Sequence, residues 1–265
     1  MRSIWKGALS FGLIHIPVRL YSASKSRELK FKLLHKKDLG EIRYARVCKA
    51  DGKEVPWEDV VKGYEYQEGD YVVLTEEDFA KANLKKTQTI EILDFTDNDQ
   101  IDSVYYEVPY YLEPEKGSEK AYVLLLEALR RSKKVAVGRY VLRQHEHVGV
   151  IKEHNGVLIL NQLRYDTQLV NFKALEIPEK GPISKKELDI ALAFIKELSK
   201  PFHAQGYTDT YTDEIKEIIK KKAKGQKITL KKEKPVKAGE VHDIISLLKA
   251  SLQEHKKKSA KRRAA

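Results

Sequence analysis

The residues with the chemistry to hold a metal ion are few. Cys48 and Asp51 form a Cys-x-x-Asp spacing, in which an aspartate stands where a second zinc-binding cysteine would be needed. A structural zinc site requires four protein ligands, and His35 is the nearest other soft ligand. The sequence therefore predicts no metal at this position and a role for Cys48 as a small buried residue.

Three carboxylates and two histidines form the remaining candidate sites. Asp97, Asp99 and Asp102 crowd one turn, but their spacing lacks the glycine and the distal glutamate of a calcium loop. A solvated acidic turn is the prediction, although a metal-dependent nuclease would use such carboxylates and stays open as an alternative. His145 and His147 share one face of a predicted strand. Because no third ligand is evident, both are predicted to lie at the surface or to face phosphate.

Sequence signatures of catalysis are absent. The chain contains no glycine-rich phosphate loop followed by Lys-Ser/Thr, no dinucleotide fingerprint and no His-Glu-x-x-His zinc helix. We therefore predict no catalytic residue, no cofactor and no enzymatic activity.

Positive charge is the strongest signal in the sequence. Fifty Lys and Arg against 39 Asp and Glu give the 265 residues a net charge of +11 and a pI near 9.3, which points to a polyanionic partner. The charges fall into blocks: residues 19–53 carry 11 basic and 4 acidic side chains, residues 54–115 carry 4 and 17, and residues 116–152 carry 9 and 3. Because random surface charge would be mixed, the blocks predict separate basic and acidic surfaces.

The compartment follows from cysteine usage and from the absence of long apolar runs. A single cysteine excludes an internal disulfide and favours a reducing environment. The first residues lack the continuous apolar stretch of a secretory signal, and no apolar run is long enough to cross a bilayer. We predict a cytoplasmic, nucleoid-associated protein with no membrane partner.

The hydrophobic pattern predicts a mainly β core. Pro17 indicates an edge strand or a strand end, Asn155-Gly156 predicts a hairpin, and one helix begins near Ser118. Six or more strands around one interior helix favour a β-barrel or a sandwich. The predicted strands are two within residues 3–21, then 70–75, 89–95, 104–112, 135–142, 147–152 and 157–163.

Residues 22–53 alternate basic and apolar side chains in two places. These are Leu29-Lys30-Phe31-Lys32-Leu33 and the stretch from Ile42 to Val47. In a strand, this alternation puts the charges on one face and the apolar side chains on the other. One face would then meet phosphate while the other meets a core.

The pattern becomes helical after Pro178. Ser184 to Glu187 is a capping box that starts a helix ending before Pro201. A second helix, capped by Thr212 or Asp213, is predicted to close at Gly225. A linker is predicted next, and then a short amphipathic helix with a basic tail. The apolar positions of the first helix are Leu188, Leu192, Ile195 and Leu198, and those of the last are Val241, Ile244, Ile245, Leu248 and Leu252.

Several stretches closely resemble the bacterial Ku proteins, the DNA-end-binding factors of non-homologous end joining. The longest is the opening of the chain, from Ser3 to Tyr21. The others follow in order along nearly the whole chain: Val61 to Tyr66 with Tyr71 to Leu74, Tyr110 to Pro114, Lys120 to Leu125 and Tyr207 to Tyr211. Cys48 and Asp51 depart from the several relatives that carry Cys-x-x-Cys, which weakens any zinc prediction further.

The resemblance implies a fold that is mainly β with α. A Ku-type β-barrel core would carry an extended bridge, a helical C-terminal arm and a basic C-terminal tail, in a homodimer whose bridges close a ring around duplex DNA. The implied domains are a core at 1–178 with its bridge at about 22–75, an arm at 179–225, a linker at 226–240, and the amphipathic helix with its tail at 241–265.

The basic blocks and the implied ring together predict the DNA contacts. Lysine and arginine bind phosphate without reading bases, as a protein that accepts any broken end requires. Arg130 and Arg131 at a helix end are weaker candidates than strand residues. The predicted contacts are Lys25, Arg27, Lys30, Lys32, Lys36, Lys37, Arg43, Arg46, Lys133, Lys134, Arg139 and Arg143.

The C-terminal segment is predicted to serve a second partner. The resemblance implies that the apolar face of residues 241–252 docks on the multifunctional, ATP-dependent end-joining DNA ligase. The tail would add nonspecific DNA affinity through Lys256, Lys257, Lys258, Lys261, Arg262 and Arg263. A sequence-nonspecific architectural protein stays open as the other alternative, and it would bind closed circles and linear fragments alike.

Overall fold

Two compact units make up the chain as the computed structural model describes it, over residues 1–82, 88–178, 181 and 183–226. The first unit runs from Met1 to Asn171, and the second begins at Phe172. The linker beyond Gln226, the predicted ligase-docking segment and the basic tail lie outside the described residues. None of the helices in the described ranges is both long enough and apolar enough to span a membrane.

The first unit is built from strands and two helices. They are β1 (Trp5–Phe11), β2 (Ile14–Ser22), β3 (Lys62–Gln67), β4 (Asp70–Leu74), α1 (Glu76–Ala82), β5 (Thr89–Asp97), β6 (Tyr106–Pro114), α2 (Glu119–Ser132), β7 (Lys134–Leu142), β8 (His145–His154) and β9 (Val157–Leu163). Seven of these strands close into a barrel in the order β1-β2-β6-β9-β8-β7-β5, and β3 pairs with β4 apart from it. Only the β1–β5 pair is parallel among the described barrel strands. The predicted β-barrel is confirmed.

The two ends of the barrel carry different connections. Strands β2 and β7 finish, and β5, β6 and β8 begin, at the same end. The long β2–β5 connection, residues 23–88, leaves and re-enters the barrel there, so we call it the connection end. At the opposite end, α2 joins the end of β6 to the start of β7, and we call this the α2 end.

The barrel interior is filled by alternate residues of its strands. Leu158 and Leu160 of β9 and Leu112 of β6 have almost no exposed surface, as the two-residue period of a strand requires. Helix α2 closes the α2 end with Tyr122, Leu125, Leu126 and Leu129, which belong to the same cluster. The Tyr122 hydroxyl donates to the carbonyl of Leu112 and accepts the N–H of Leu158, both at 2.8 Å.

A second cluster of apolar side chains lies on the outer surface of the barrel. It shows how the chain passes from β5 to β6, which are not neighbours in the barrel. Val135, Val150 and Leu163 face outward and are covered by Ile101, Tyr105 and Tyr106. The chain after β5 therefore runs back over the outer surface of β7, β8 and β9 before β6 begins at the connection end. Burial of this face stabilises the crossover, because each fully buried aliphatic side chain contributes about 1.5–3 kcal/mol.

The β2–β5 connection has little regular structure before β3. Within residues 23–61 the ladder contacts are two isolated bridges, Leu34 with Glu41 and Val47 with Glu54. The prediction of a strand with one face on a core is wrong, because Phe31 is 69% exposed and the neighbouring lysines are exposed as well. An alternating sequence forms a strand only where another strand offers hydrogen bonds, and every strand of the closed barrel already has two partners.

The second unit contains two helices, α3 (Lys185–Leu198) and α4 (Thr210–Ala223). Helix α3 begins at the predicted capping box, with the Ser184 hydroxyl accepting the N–H of Glu187 at 3.2 Å. Its apolar residues Leu188, Leu192 and Ile195 are more than half exposed. Helix α4 begins three or four residues earlier than predicted, because Asp209, and not Thr212 or Asp213, caps it by accepting the N–H of Thr212.

Pro17 shows why a proline is tolerated within a strand of the barrel. It lies within β2, opposite Ala8 of β1, and so marks neither an edge strand nor a strand end. The pairing of β2 with β6 begins at the next residue, Val18. The missing N–H of proline therefore removes no bond from that ladder, while the Pro17 carbonyl accepts the N–H of Glu115 at 2.9 Å.

Candidate nucleic-acid interface

The cations of the connection are held on an exposed segment, and some already have partners. Lys32 pairs with Glu41, and the Arg43 guanidinium lies 3.4 Å from a Glu54 carboxylate oxygen. The guanidinium of Arg46 lies 5.1 Å from the centre of the Trp57 ring. The connection contains two loops, each closed by an isolated bridge: Leu34 with Glu41, and Val47 with Glu54. The two ion pairs involve the glutamates of these bridges and so support each loop where it closes.

The other predicted DNA contacts of the connection are available for a partner. They are exposed, and no ion pair involves them in the described part of the chain. Exposed pairs contribute little to stability, so cations without any pair serve solvation or binding of an anion. These side chains are Lys25, Arg27, Lys30, Lys36 and Lys37.

Apolar side chains of the connection are exposed beside these cations. Phe31, Leu39 and Tyr44 have at least two thirds of their surface open, and Leu33 and Ile42 about half. A monomeric protein rarely leaves so many large apolar residues of one segment uncovered. The connection thus offers both a basic and an apolar surface, and neither is satisfied within one chain.

The predicted barrel cations occupy both ends of β7. Arg139 lies 3.6 Å from Glu91 of β5, and Lys134 lies 2.8 Å from Asp97 at the α2 end. Lys133 ends α2 with a left-handed backbone, φ 57°. Arg143 follows β7 at the connection end, so it and Lys134 are about 30 Å apart along the strand. The structure therefore does not bring the predicted barrel contacts onto one surface.

Acidic side chains neutralise part of the positive charge in the folded protein. Glu115 accepts from Arg19 at 2.9 Å and lies 3.7 Å from Lys6, and the Arg19 hydrogen bond lowers the pKa of the Glu115 carboxyl. Arg130 and Arg131, the weaker candidates at the end of α2, both pair with Glu127. A block of like charge in sequence is thus not a single-signed surface in the fold.

The carboxylates of the acidic turn have structural partners. Asp97 binds Lys134, and Asp102 accepts the N–H of Val104 at 3.0 Å, which caps a short 3-10 turn. Within the described ranges, no three His, Cys, Asp or Glu side chains lie close enough together to hold a metal ion. The predicted solvated acidic turn fits this geometry.

Cys48 and His147 differ from their predicted surroundings. Cys48 is partly exposed, in a tight loop where its N–H donates to the Lys53 carbonyl at 2.8 Å. The His147 ring lies 5.4 Å from the ring of the buried Tyr140, and burial lowers the pKa of His147. His147 is therefore a half-buried residue that favours its neutral form, while His145 is exposed.

Polar side chains line the barrel at the connection end. The Tyr140 hydroxyl lies 3.3 Å from the amide oxygen of Gln162, whose amide nitrogen donates to Glu107 at 2.9 Å. Burial raises the pKa of Tyr140 well above its ordinary value. Arg143 follows β7 at this end, and its charge lowers the pKa of Tyr110 against the larger opposing effect of burial.

The α2 end has an apolar groove instead. Phe11 and Phe95 meet edge to face at 5.4 Å between ring centres, and Ile14 and Leu124 line the same groove. All four side chains are at least 40% exposed. The two ends of the barrel thus differ in chemistry: polar side chains line the mouth at the connection end, whereas the α2 end has an apolar groove beside cations such as Lys134.

Sequence reasoning missed two features of this surface. Arg46 contacts Trp57, which lies 11 residues further along the sequence. The only sequence signal for this contact is a basic residue followed at that distance by an aromatic one. Gln144 forms a two-residue loop with Arg143, and both have positive φ. The signal for that loop was present, since strands were predicted on both sides of residues 143–146.

Comparison with known proteins identifies the family. The family model described as the Ku70/Ku80 beta-barrel domain matches residues 10–190. Proteins named "Non-homologous end joining protein Ku" match nearly end to end: that of Opitutus terrae is 42% identical over 98% of this chain and 96% of its own, that of Archaeoglobus fulgidus 38% over 96% and 99%, and that of Pseudomonas aeruginosa 38% over 95% and 88%. With its closed barrel and the match over nearly its whole length, the chain belongs to the Ku family.

Proposed function

We propose that this protein binds the ends of double-stranded DNA, without reading sequence, in the repair of breaks by non-homologous end joining. Its relatives carry the name of that process. The observation that carries the proposal is the β2–β5 connection, an exposed segment in which five of the predicted DNA contacts have no ion pair in the described residues. Such cations bind phosphates of any sequence.

The working form is a homodimer in which two connections close a ring. The apolar side chains of one connection, including Phe31, Leu39 and Ile42, are uncovered in a single chain, and a second copy would supply the missing surface. The exposed apolar face of α3 supports the same conclusion. A ring closed before DNA arrives admits a duplex only at an end, so topology supplies the selectivity that nonspecific charge lacks.

DNA contacts come from the connection and from the barrel at the connection end. We assign phosphate contacts to Lys25, Arg27, Lys30, Lys36 and Lys37, with Lys32, Arg43 and Arg46 exchanging their present partners for phosphate. Arg139 and Arg143 extend this surface onto the barrel. Lys133 and Lys134 lie at the α2 end and would serve only a duplex that also passes there. The protein acts by binding, on chromosomal DNA, and no catalytic step is assigned to it.

The C-terminal segment would recruit the next factor. We assign docking on an ATP-dependent end-joining DNA ligase to Val241, Ile244, Ile245, Leu248 and Leu252, which share one face at helical spacing. The tail from Lys256 to Arg263 would add DNA affinity. Deleting residues 240–265 should reduce stimulation of the ligase and preserve loading on ends. Loss of loading on linear duplex would show that this division of labour is wrong.

The decisive experiment compares DNA forms. The protein should bind a linear duplex and ignore the same sequence as a closed circle, and relinearising the circle should restore binding. The complex should contain two copies by light scattering. Affinity for ends should fall about a thousand- to a hundred-thousand-fold between 50 and 200 mM salt if 6–10 phosphates are contacted. Equal binding to circles would favour an architectural protein, and Mg²⁺-dependent cleavage that disappears in Asp97→Ala would favour a nuclease.

A further inference from the structure

One hairpin loop of the barrel is built from residues that do not suit its backbone. The described structure has four two-residue hairpin loops, and three of them place a glycine at positive φ: Gly12, Gly69 and Gly156. The fourth, Arg143-Gln144 between β7 and β8, has φ of 50° and 72°. This conformation brings Cβ of an ordinary residue too close to the backbone, a cost that glycine does not have.

The β8–β9 loop is a matched comparison within the same protein. It joins His154 to its pairing partner Val157 through Asn155-Gly156, at φ 51° and 85°. Asparagine followed by glycine is the preferred sequence for a loop with two positive φ values. The barrel therefore uses the preferred loop sequence at its α2 end and a strained one at its connection end.

Local packing does not account for the strained loop. The side chains of Arg143 and Gln144 are exposed, and neither makes an ion pair or a side-chain hydrogen bond with the described residues. Arg139 and Lys134, in contrast, are held by carboxylates. Strained backbone kept at an exposed position, without compensating contacts, is typical of a functional site.

The position of the loop indicates its ligand. It lies at the connection end, where β2 ends at Ser22 and leads into Lys25 and Arg27. We propose that the Arg143-Gln144 loop is a rigid contact for the sugar-phosphate backbone, which sets where a duplex lies against the barrel. The guanidinium presents a planar set of donors that can bind one phosphate through two bonds, and the Gln144 amide adds a neutral donor.

Rigidity distinguishes this contact from the lysines of the connection. The backbone of a two-residue loop between paired strands loses little conformational freedom on binding, whereas the backbone of an irregular segment loses more. The loop would thus orient the duplex, while the connection supplies most of the charge. This inference rests on the proposed DNA-end binding and names one element of its surface.

The test exchanges the two loop sequences. Arg143→Asn with Gln144→Gly should raise the melting temperature by a few degrees, because the strain is removed, and should weaken binding to duplex ends. A dimer would then bind two fewer phosphates, so the fall in affinity between 50 and 200 mM salt should be about tenfold smaller. The reciprocal Asn155→Arg with Gly156→Gln should lower the melting temperature and leave end binding unchanged. Asn155→Arg alone replaces this control if the double variant does not fold.

The outcomes separate this inference from the proposed function. If the Asn-Gly variant binds ends with the affinity and salt dependence of the unaltered protein, the loop is no DNA contact. If its melting temperature falls, the loop is not strained. If the unaltered protein itself fails to discriminate ends from circles, the proposed function fails, whatever the variants do. Arg143→Lys should keep the salt dependence and lose part of the affinity, since the charge remains but the two-bond geometry is gone.

Discussion

The barrel and the β2–β5 connection differ in what each buries within one chain. Leu9, Leu158 and Leu160 in the barrel have no measurable exposure, whereas Phe31 and Leu39 in the connection are each 69% exposed. The barrel therefore obtains its stability from its own residues. The connection leaves large apolar side chains uncovered within one chain.

This difference means that the same kind of substitution has different consequences in the two regions. Under the proposed function, we expect removal of an apolar residue from the barrel to change the free energy of unfolding, and removal of one from the connection to change association. We expect removal of an unpaired cation from the connection to change DNA affinity alone. Substitutions in both regions test this separation, beginning with the largest expected effect.

Replacing Lys30, Lys36 and Lys37 together by glutamine should weaken binding to duplex ends most. A dimer would bind six fewer phosphates, so the slope of log affinity against log salt should fall by about five. The melting temperature should not change, because these side chains have no ion pairs in the described chain. Fluorescence anisotropy with a labelled duplex at several salt concentrations measures the slope.

The control is a second triple variant, in which Lys116, Lys120 and Lys133 at the α2 end are changed to glutamine. It removes the same number of positive charges. Its salt slope should match that of the unaltered protein. A comparable weakening would mean that the duplex also contacts the α2 end and that the two barrel ends are not functionally distinct.

Leu112→Ala should destabilise the barrel by about 2–5 kcal/mol, because the side chain is 2% exposed and its removal leaves a cavity. Denaturant unfolding measures this destabilisation. The exposed Leu39 of the connection, changed to alanine in the same way, should cost less than about 0.5 kcal/mol. Equal destabilisation would show that the connection has a core of its own.

Phe31→Ser with Ile42→Ser should shift the protein toward monomers and leave the barrel intact. Each side chain is at least 49% exposed in one chain, and burial of such residues in a dimer contributes about 1.5–3 kcal/mol apiece. The dimer dissociation constant should therefore rise at least tenfold in sedimentation experiments. Leu13→Ser, at the fully exposed tip of the β1–β2 loop, should leave the constant unchanged; an equal rise there would place dimer contacts on the barrel instead.

His147→Phe should give the smallest effect, on the pH dependence of stability. Burial lowers the pKa of His147 in the folded state, with a further lowering from His145. The folded protein therefore binds fewer protons, so stability contributed by the neutral ring is present above the unfolded pKa and is lost as pH falls below it. The variant should lose less stability than the unaltered protein between pH 7 and pH 5 in thermal denaturation. His145→Gln is the control, and it should retain most of the fall.

Much of the barrel followed from sequence pattern alone. The Asn155-Gly156 hairpin and strands such as 157–163 were predicted because a half-buried strand has a two-residue period and its loop a preferred composition. The Ser184 capping box fixed the start of α3 for a similar reason, since the hydrogen bonds are local. Pro17 was misread, because whether a backbone group has a partner depends on where the neighbouring element ends. The cap of α4 was placed at Thr212 or Asp213 instead of Asp209, because several neighbouring side chains can accept the same kind of hydrogen bond.

The amino-acid sequence determined by itself the charge of the protein, the strands of its barrel and the family to which it belongs, because composition, local periodicity and matching stretches are all properties of the linear sequence. Tertiary structure alone decided which cations stay unpaired and which end of the barrel they reach. Arg139 and Arg143 are four residues apart, yet one is bound by Glu91 and the other faces solvent. Ion pairs form through space between distant strands, and the closure of the barrel sets which charges meet.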